Sequence, residues 1–352
     1  MSGTLTVLAP GNTVLTDLGR FRGPRFGLPV NGALDQFSAR AANVLVGNAE
    51  HEPLLELTAL DLRLKASADT LVSLTGAAAL LEVGGREQPS WQPVSVRAGE
   101  TVVVRGIHGG LRCYLAVHGS VEAAQLLGSC APDTVVGFGT RVQAGTTLVL
   151  RRSVRPIRQP YFDLPLYRFP WGNDGGGHGG APGFAPARGD HGRGAVVEVT
   201  DGPDVEEFGD SADLLFSSEY TVSPRSNHIG LRLGGALPER TTSGEVLSRG
   251  VPVGAIEVPS RTELLVLHRG RGVTAGYPVL AVATSAGLDR LAQARPGDRI
   301  RFRPTTVAEA TAVSEQSRLH LDVLRRSVTA VFESLGVGGP AAWRQEQVEQ
   351  YV

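Results

Sequence analysis

Three groups of residues in this sequence combine reactive side chains with glycine-fixed loops. The first contains Asp17-Leu18-Gly19-Arg20, then Gly27-Leu28-Pro29-Val30-Asn31-Gly32-Ala33-Leu34-Asp35, then Asn43, Asn48 and Glu56. Arg20 has the planar fork that holds a carboxylate or phosphate at two points. Asp35 and Glu56 have the groups for acid and base work. Glycines and Pro29 would fix the loop and bring its backbone amides close to a ligand. Each residue also has a structural reading. Asp35 is a good N-cap for a following helix, and Asn43 can satisfy a buried loop.

The second group is His118-Gly119-Ser120 at the end of an apolar run, followed by Ser129 and Cys130. A histidine beside a thiol or hydroxyl makes a nucleophile pair, but nothing in the spacing demands one. The third group is Ser226-Asn227-His228, Ser248-Arg249-Gly250 and Thr274-Ala275-Gly276-Tyr277. By themselves these are turns at strand ends, rich in hydrogen-bonding groups.

Other residue types narrow the chemistry. Lys65 is the only lysine. A phosphate-binding loop ending in Gly-Lys-Ser/Thr is therefore absent. Lys65 lies in the alternating run Leu62-Arg63-Leu64-Lys65, which puts it on a solvated strand face. It lacks the flanks of a biotin-attachment site, so no covalent biotin is expected on this chain. Cys113 and Cys130 match neither a zinc site nor a disulfide framework. No metal site is expected, and His178 and His191 fall in a Gly-rich loop. The net charge of −1 gives no field for nucleic acid or an anionic membrane. No apolar run approaches the roughly 18 residues of a membrane helix, and the N-terminus lacks signal-peptide character. A cytoplasmic protein with reduced thiols is expected.

The elements that must position these groups are mostly strands. Forty-five of 352 residues are glycine, against about 7% on average, as expected where short strands are repeatedly joined. Runs rich in Val, Leu and Thr at 70–74, 101–105, 111–117, 147–150, 195–199, 264–268 and 299–303 predict strands. Asp35 opens a helix to Val46, with Phe37, Ala41, Ala42 and Leu45 on one face and Gly47 as its stop. Shorter helices are expected at 204–213 and 287–293. Thr306 and Glu309 form a capping box, and Leu321, Leu324, Val328 and Val331 follow at helical spacing. That helix is expected to pack on its own domain. The division predicted is a β-rich domain at 1–155, a Gly/Pro-rich linker or insertion at 156–194, a second β-rich domain at 195–305 and a helical extension at 306–352.

The opening segment resembles the allophanate hydrolase subunit 2 family, which includes the C-type subunits of 5-oxoprolinase and the carboxyltransferase domain of urea carboxylase. Thr13-Val14, Asp17-Leu18-Gly19-Arg20, the run from Gly27 to Asp35, and the run from Ala42 to Asn48 carry the family opening in order. Leu74-Thr75-Gly76-Ala77, Gly128-Ser129, Gly254-Ala255-Ile256, Gly276-Tyr277-Pro278 and Gln293 with Pro296-Gly297-Asp298 extend the match. The resemblance implies a mainly β fold with some α, built as two cyclophilin-like β-barrel domains, to which the C-terminal amphipathic helix is added. It implies a companion of the allophanate hydrolase subunit 1 type, equivalent to the B-type subunit of 5-oxoprolinase, and a third, A-type subunit of the same enzyme. The activity implied is opening of 5-oxoproline to glutamate, a small-molecule amide reaction using ATP with Mg at the level of the complex. Arg20, Asp35 and Glu56 would then be catalytic. Asn43, Asn48, His118, Ser129, Ser226, Ser248, Thr274 and Tyr277 would contact substrate. Two alternatives stay open: a carboxyltransferase acting on a urea or amide with a separate biotin carrier, and a non-catalytic regulatory subunit that antagonises a kinase inhibitor. The second half departs from the family pattern. Ser226-Asn227-His228-Ile229-Gly230 replaces Ser-Asp-Arg-Met-Gly, Arg249 replaces a glutamate and Glu257 a glutamine. In the first half, Cys130 replaces an arginine.

Overall fold

The computed structural model describes residues 3–139, 141–151, 195–241, 244–259 and 262–334. The expected linker at 156–194 and the tail at 341–352 lie outside the described residues. The first half is a nine-stranded sheet whose spine is the strand Thr101–Val117. That strand pairs antiparallel with Leu54–Thr58, Leu62–Ala66 and Thr70–Val83. The sequence predicts two strands here, split by Gly106, Gly109 and Gly110. The structure has one, because Gly106 and Gly109 take φ of 67° and 64° and bend the chain, and its pairing with Thr70–Val83 lapses at the bend and resumes beyond it. The opposite strand Thr70–Val83 shifts register at the same place, between Gly76, Ala78 and Leu80. Alternation does the rest: Leu62 and Leu64 are buried in the core, whereas Arg63 and Lys65 face water.

Helix α1 (Gln36–Leu45) starts where its cap residue predicts. The Asp35 carboxylate accepts a hydrogen bond from Ser38 N at 2.9 Å. The helix packs on the strands Thr70–Val83 and Thr101–Val117 through Phe37, Ala42 and Leu45.

The second half is a closed seven-stranded barrel in the order Ala195–Asp201, Val279–Ala283, Ala255–Glu257, Leu264–Leu267, Gly230–Gly234, Tyr220–Val222 and Arg299–Pro304. Parallel pairing of the first with the last closes it. Between barrel strands the chain forms a 3-10 segment, Val205–Asp213, where a helix is expected. Gly209 (φ 49°, ψ −140°) interrupts it, and the short helix α2 (Leu214–Ser217) follows. Helix α3 (Ser285–Ala292) is capped by Thr284, whose hydroxyl accepts Gly287 N at 3.0 Å. A ribbon of Arg249–Gly250 with Thr274–Ala275 packs on the barrel through Val251 and Ala275.

Helix α4 (Val307–Ser334) begins with the predicted capping box. Thr306 N donates to Glu309 Oε2 at 2.9 Å, and Glu309 N donates to Thr306 Oγ1 at 3.2 Å. Its apolar stripe does not stay on its own domain. Leu321, Leu324, Val328 and Phe332 are buried against the first half, in one cluster with α1. Burial of each such side chain contributes about 1.5–3 kcal/mol. This explains why nine of the ten α1 residues are buried, since both the sheet and α4 cover it.

Candidate functional site

The two halves enclose a cleft of about 750 Å³ whose polar lining includes Glu56, Arg112, Asp133, Asn31, His228 and Ser226. Glu56 sits mid-strand beside the spine, opposite Tyr114. Its Oε2 accepts the backbone N–H of Leu34 at 3.1 Å, and its Oε1 lies 3.7 Å from Arg112 Nε. Arg112 also donates through Nη1 to the carbonyl of Ala292 in the second half, while its Nε makes no hydrogen bond. The pair is therefore a loose ion pair, buried for the most part, at the junction of the halves.

A loop from the first half forms another wall. Asp133 accepts hydrogen bonds from Asn31 Nδ2 at 2.9 Å and from Arg20 Nη1 at 3.1 Å. Arg20 is fully buried; it also donates to the Ala131 carbonyl and has the Phe138 ring 5.7 Å from its guanidinium carbon. Burial lowers the Arg20 pKa, while Asp133 and Asp17 oppose that. The guanidinium remains charged. Across the cleft, burial lowers the His228 pKa; Glu56 and Asp133 oppose the shift and Arg112 adds to it. The imidazole is thus neutral near pH 7 and able to take a proton.

The structure sorts the residues singled out by sequence into five places. Glu56 and Ser226 line the cleft. Arg20 and Asp35 lie behind its wall. Asp35 is buried, with Oδ2 accepting Ser38 Oγ and Gln293 Nε2, each at 2.7 Å. Burial pushes its carboxyl up against the pull of those hydrogen bonds. Asn43, Asn48 and His118 lace the end of α1: Asn43 Nδ2 donates to the Glu52 carbonyl, and Asn48 Nδ2 donates to Asn43 Oδ1 and the Val117 carbonyl. His118 Nδ1 meets the Val46 carbonyl, and its ring packs edge-on against Phe332. Ser129 donates to Asp17 Oδ1 at 2.6 Å, and Cys130 N donates to Asp17 Oδ2 at 2.7 Å. His118 therefore belongs to a different neighbourhood from Ser129 and Cys130. Burial, then Asp17, pushes the Cys130 thiol up. Burial pushes Cys113 up to about 12. Both cysteines are held as thiols. Ser248, Thr274 and Tyr277 are exposed on or beside the surface ribbon and do not line the cleft.

Arg112 and Asp133 line the cleft but belong to none of the sequence groups. Arg112 carried one signal, a charge inside the otherwise apolar run from Leu111 to Val117. Asp133 carried none, because its partners Arg20 and Asn31 are 113 and 102 residues away.

Two β-rich halves with a polar cleft at their junction define the class. Residues 26–304 match the family of the carboxyltransferase domain, subdomain A and B, and the chain belongs to that family. It is 29% identical over 317 residues to the C-type subunit of 5-oxoprolinase from Escherichia coli (strain K12), covering 89% of this chain and 94% of that protein. It is 28% identical over 318 residues to urea amidolyase of Saccharomyces cerevisiae, covering 83% of this chain and 16% of that one. The crystal structure of TTHA0988 superimposes with a TM-score of 0.70 at 32% identity over 86% of this chain, which spans 55% of that chain. Among the described residues no helix is long and apolar enough to cross a membrane.

Proposed function

We propose that this chain is the C-type subunit of a 5-oxoprolinase-type hydrolase, opening 5-oxoproline to glutamate together with companion subunits of the B and A types. The observation that carries the proposal is the cleft, where Glu56 and Arg112 of the first half share one cavity with His228 of the second. Ring opening adds water to the lactam carbonyl carbon, breaks the C–N bond and protonates the departing nitrogen. His228 is suited to take the proton from water and return it to the departing nitrogen, and Glu56 with Arg112 to orient the ring. The near full-length similarity to a C-type 5-oxoprolinase chain supports this substrate.

Amide resonance makes the carbonyl a poor electrophile, so ATP with Mg is required to activate it. The two arginines that line the cleft already have neighbours of their own. Arg112 is engaged by Glu56 and Ala292, and Arg141 by Asn12. ATP is therefore assigned to a companion chain, and no step here runs through it.

The test is reconstitution with the companion subunits, following ADP release that depends on 5-oxoproline. The chain alone should give no turnover and the complex should turn over. Glu56→Gln, which keeps an acceptor for Leu34 N, should lower the rate about 10²-fold or more in complexes that remain folded and assembled at the assay temperature. Full activity of that variant would sink the assignment. The family match and the similarity to urea amidolyase favour a second reading, carboxyl transfer with a separate biotin carrier. Carboxylation of urea on adding such a carrier in its carboxybiotin form, with no 5-oxoproline turnover, would establish that reading instead.

A further inference from the structure

We infer that Gln293, a residue of the second half, is a positioning residue for the Glu56–Arg112 pair of the first; this rests on the cleft being the reaction site. Gln293 follows the last turn of α3 and is buried. Its Oε1 accepts two consecutive backbone amides, Leu111 N at 3.1 Å and Arg112 N at 3.0 Å. Its Nε2 donates to Asp35 Oδ2 at 2.7 Å. The spine is open to this visitor because its pairing with Thr70–Val83 lapses between His108 and Cys113. Gly110 completes the fit: a Cβ there would lie 2.8 Å from Gln293 Oε1.

The two ends of this amide reach the two members of the ion pair by separate routes. Oε1 fixes the backbone of Arg112, whose side chain the neighbouring Ala292 carbonyl also holds. Nε2 fixes Asp35, which follows Leu34, and Leu34 N is the donor to Glu56. The position needs an acceptor for two amides and a donor to a carboxylate at once. Glutamine supplies both. An ionised glutamate would set a like charge against Asp35, and a leucine would leave the two amides and Asp35 without these bonds.

The experiment uses the reconstituted complex, with rates expressed per folded complex at a temperature well below each variant's melting point. Gln293→Leu should lower kcat on the order of tenfold to a hundredfold with a smaller change in KM. Gln293→Glu should be impaired at high pH and recover as pH falls, because a protonated carboxyl restores both donor and acceptor. If Gln293→Leu fails to assemble, the pH profile of Gln293→Glu carries the test by itself. Wild-type kcat and pH profile in these variants, with Glu56→Gln inactive, would overturn the inference and leave the cleft assignment standing. An active Glu56→Gln complex would overturn both.

Discussion

Among the single side chains of the described residues, some buried charges are paired and others are not. Arg20 and Asp133, and Arg112 and Glu56, each face an opposite charge. Glu257 does not: it is 1% exposed, its Oε1 has no hydrogen-bond partner, and burial raises its pKa to about 7. A carboxyl whose folded pKa is raised binds its proton more tightly when folded. Its contribution to stability is complete below its ordinary value of 4.5 and is lost as pH rises through about 7. Each pH unit of that window is worth about 1.4 kcal/mol. Glu257→Gln removes this penalty and restores the residue the family resemblance leads one to expect. We predict that it raises the melting temperature at pH 8.5 and leaves it nearly unchanged at pH 4. A uniform shift at both pH values would show that the effect is packing and not ionisation.

Among the secondary-structure elements α4 is the least conventional, because it leaves the second half to cover a helix of the first. Its stripe was legible as an amphipathic helix from spacing alone. Its docking site was not, since periodicity marks the apolar face and says nothing about which surface receives it. Phe332 anchors the far end, 2% exposed and packed on the His118 ring. Arg325 adds an ion pair to Glu50 of the first half. Phe332→Ala should destabilise the chain by about 3–5 kcal/mol, read from the midpoint of chemical denaturation. A loss below 1 kcal/mol would mean that this end of α4 frays in solution. The long spine strand teaches a related lesson. Glycine reads as a strand boundary in sequence, but here neighbouring strands hold it in place on both sides of the bend.

Across the molecule, the two halves are joined through buried and partly buried hydrogen bonds. Asp289 of α3 accepts the N–H of Gln36 at the start of α1, and Asn31 N donates to the Arg269 carbonyl. Arg295 donates to the carbonyls of Gly110 and Ile107. Such bonds cannot break singly without leaving buried groups unsatisfied. We expect one cooperative thermal transition for the whole chain, with calorimetric and van't Hoff enthalpies equal. Two resolved transitions in calorimetry would show that the halves unfold independently.

Residue order and spacing alone were enough for the strand-rich composition, the cap and face of α1, the capping box of α4, the family through its opening motif, and the solvated setting of Lys65. Those features rest on local periodicity, local hydrogen bonds or the order of residues along the chain. Which polar groups face the cleft depended on the packed fold. Asn43, Asn48, His118 and Ser129 looked like site residues but are spent on backbone and loop contacts, whereas Arg112 and Asp133 reach the cleft. A polar side chain serves whichever partner the fold brings within about 3 Å, and here those partners come from strands and loops up to 258 residues away, as Gln293 and Asp35 show.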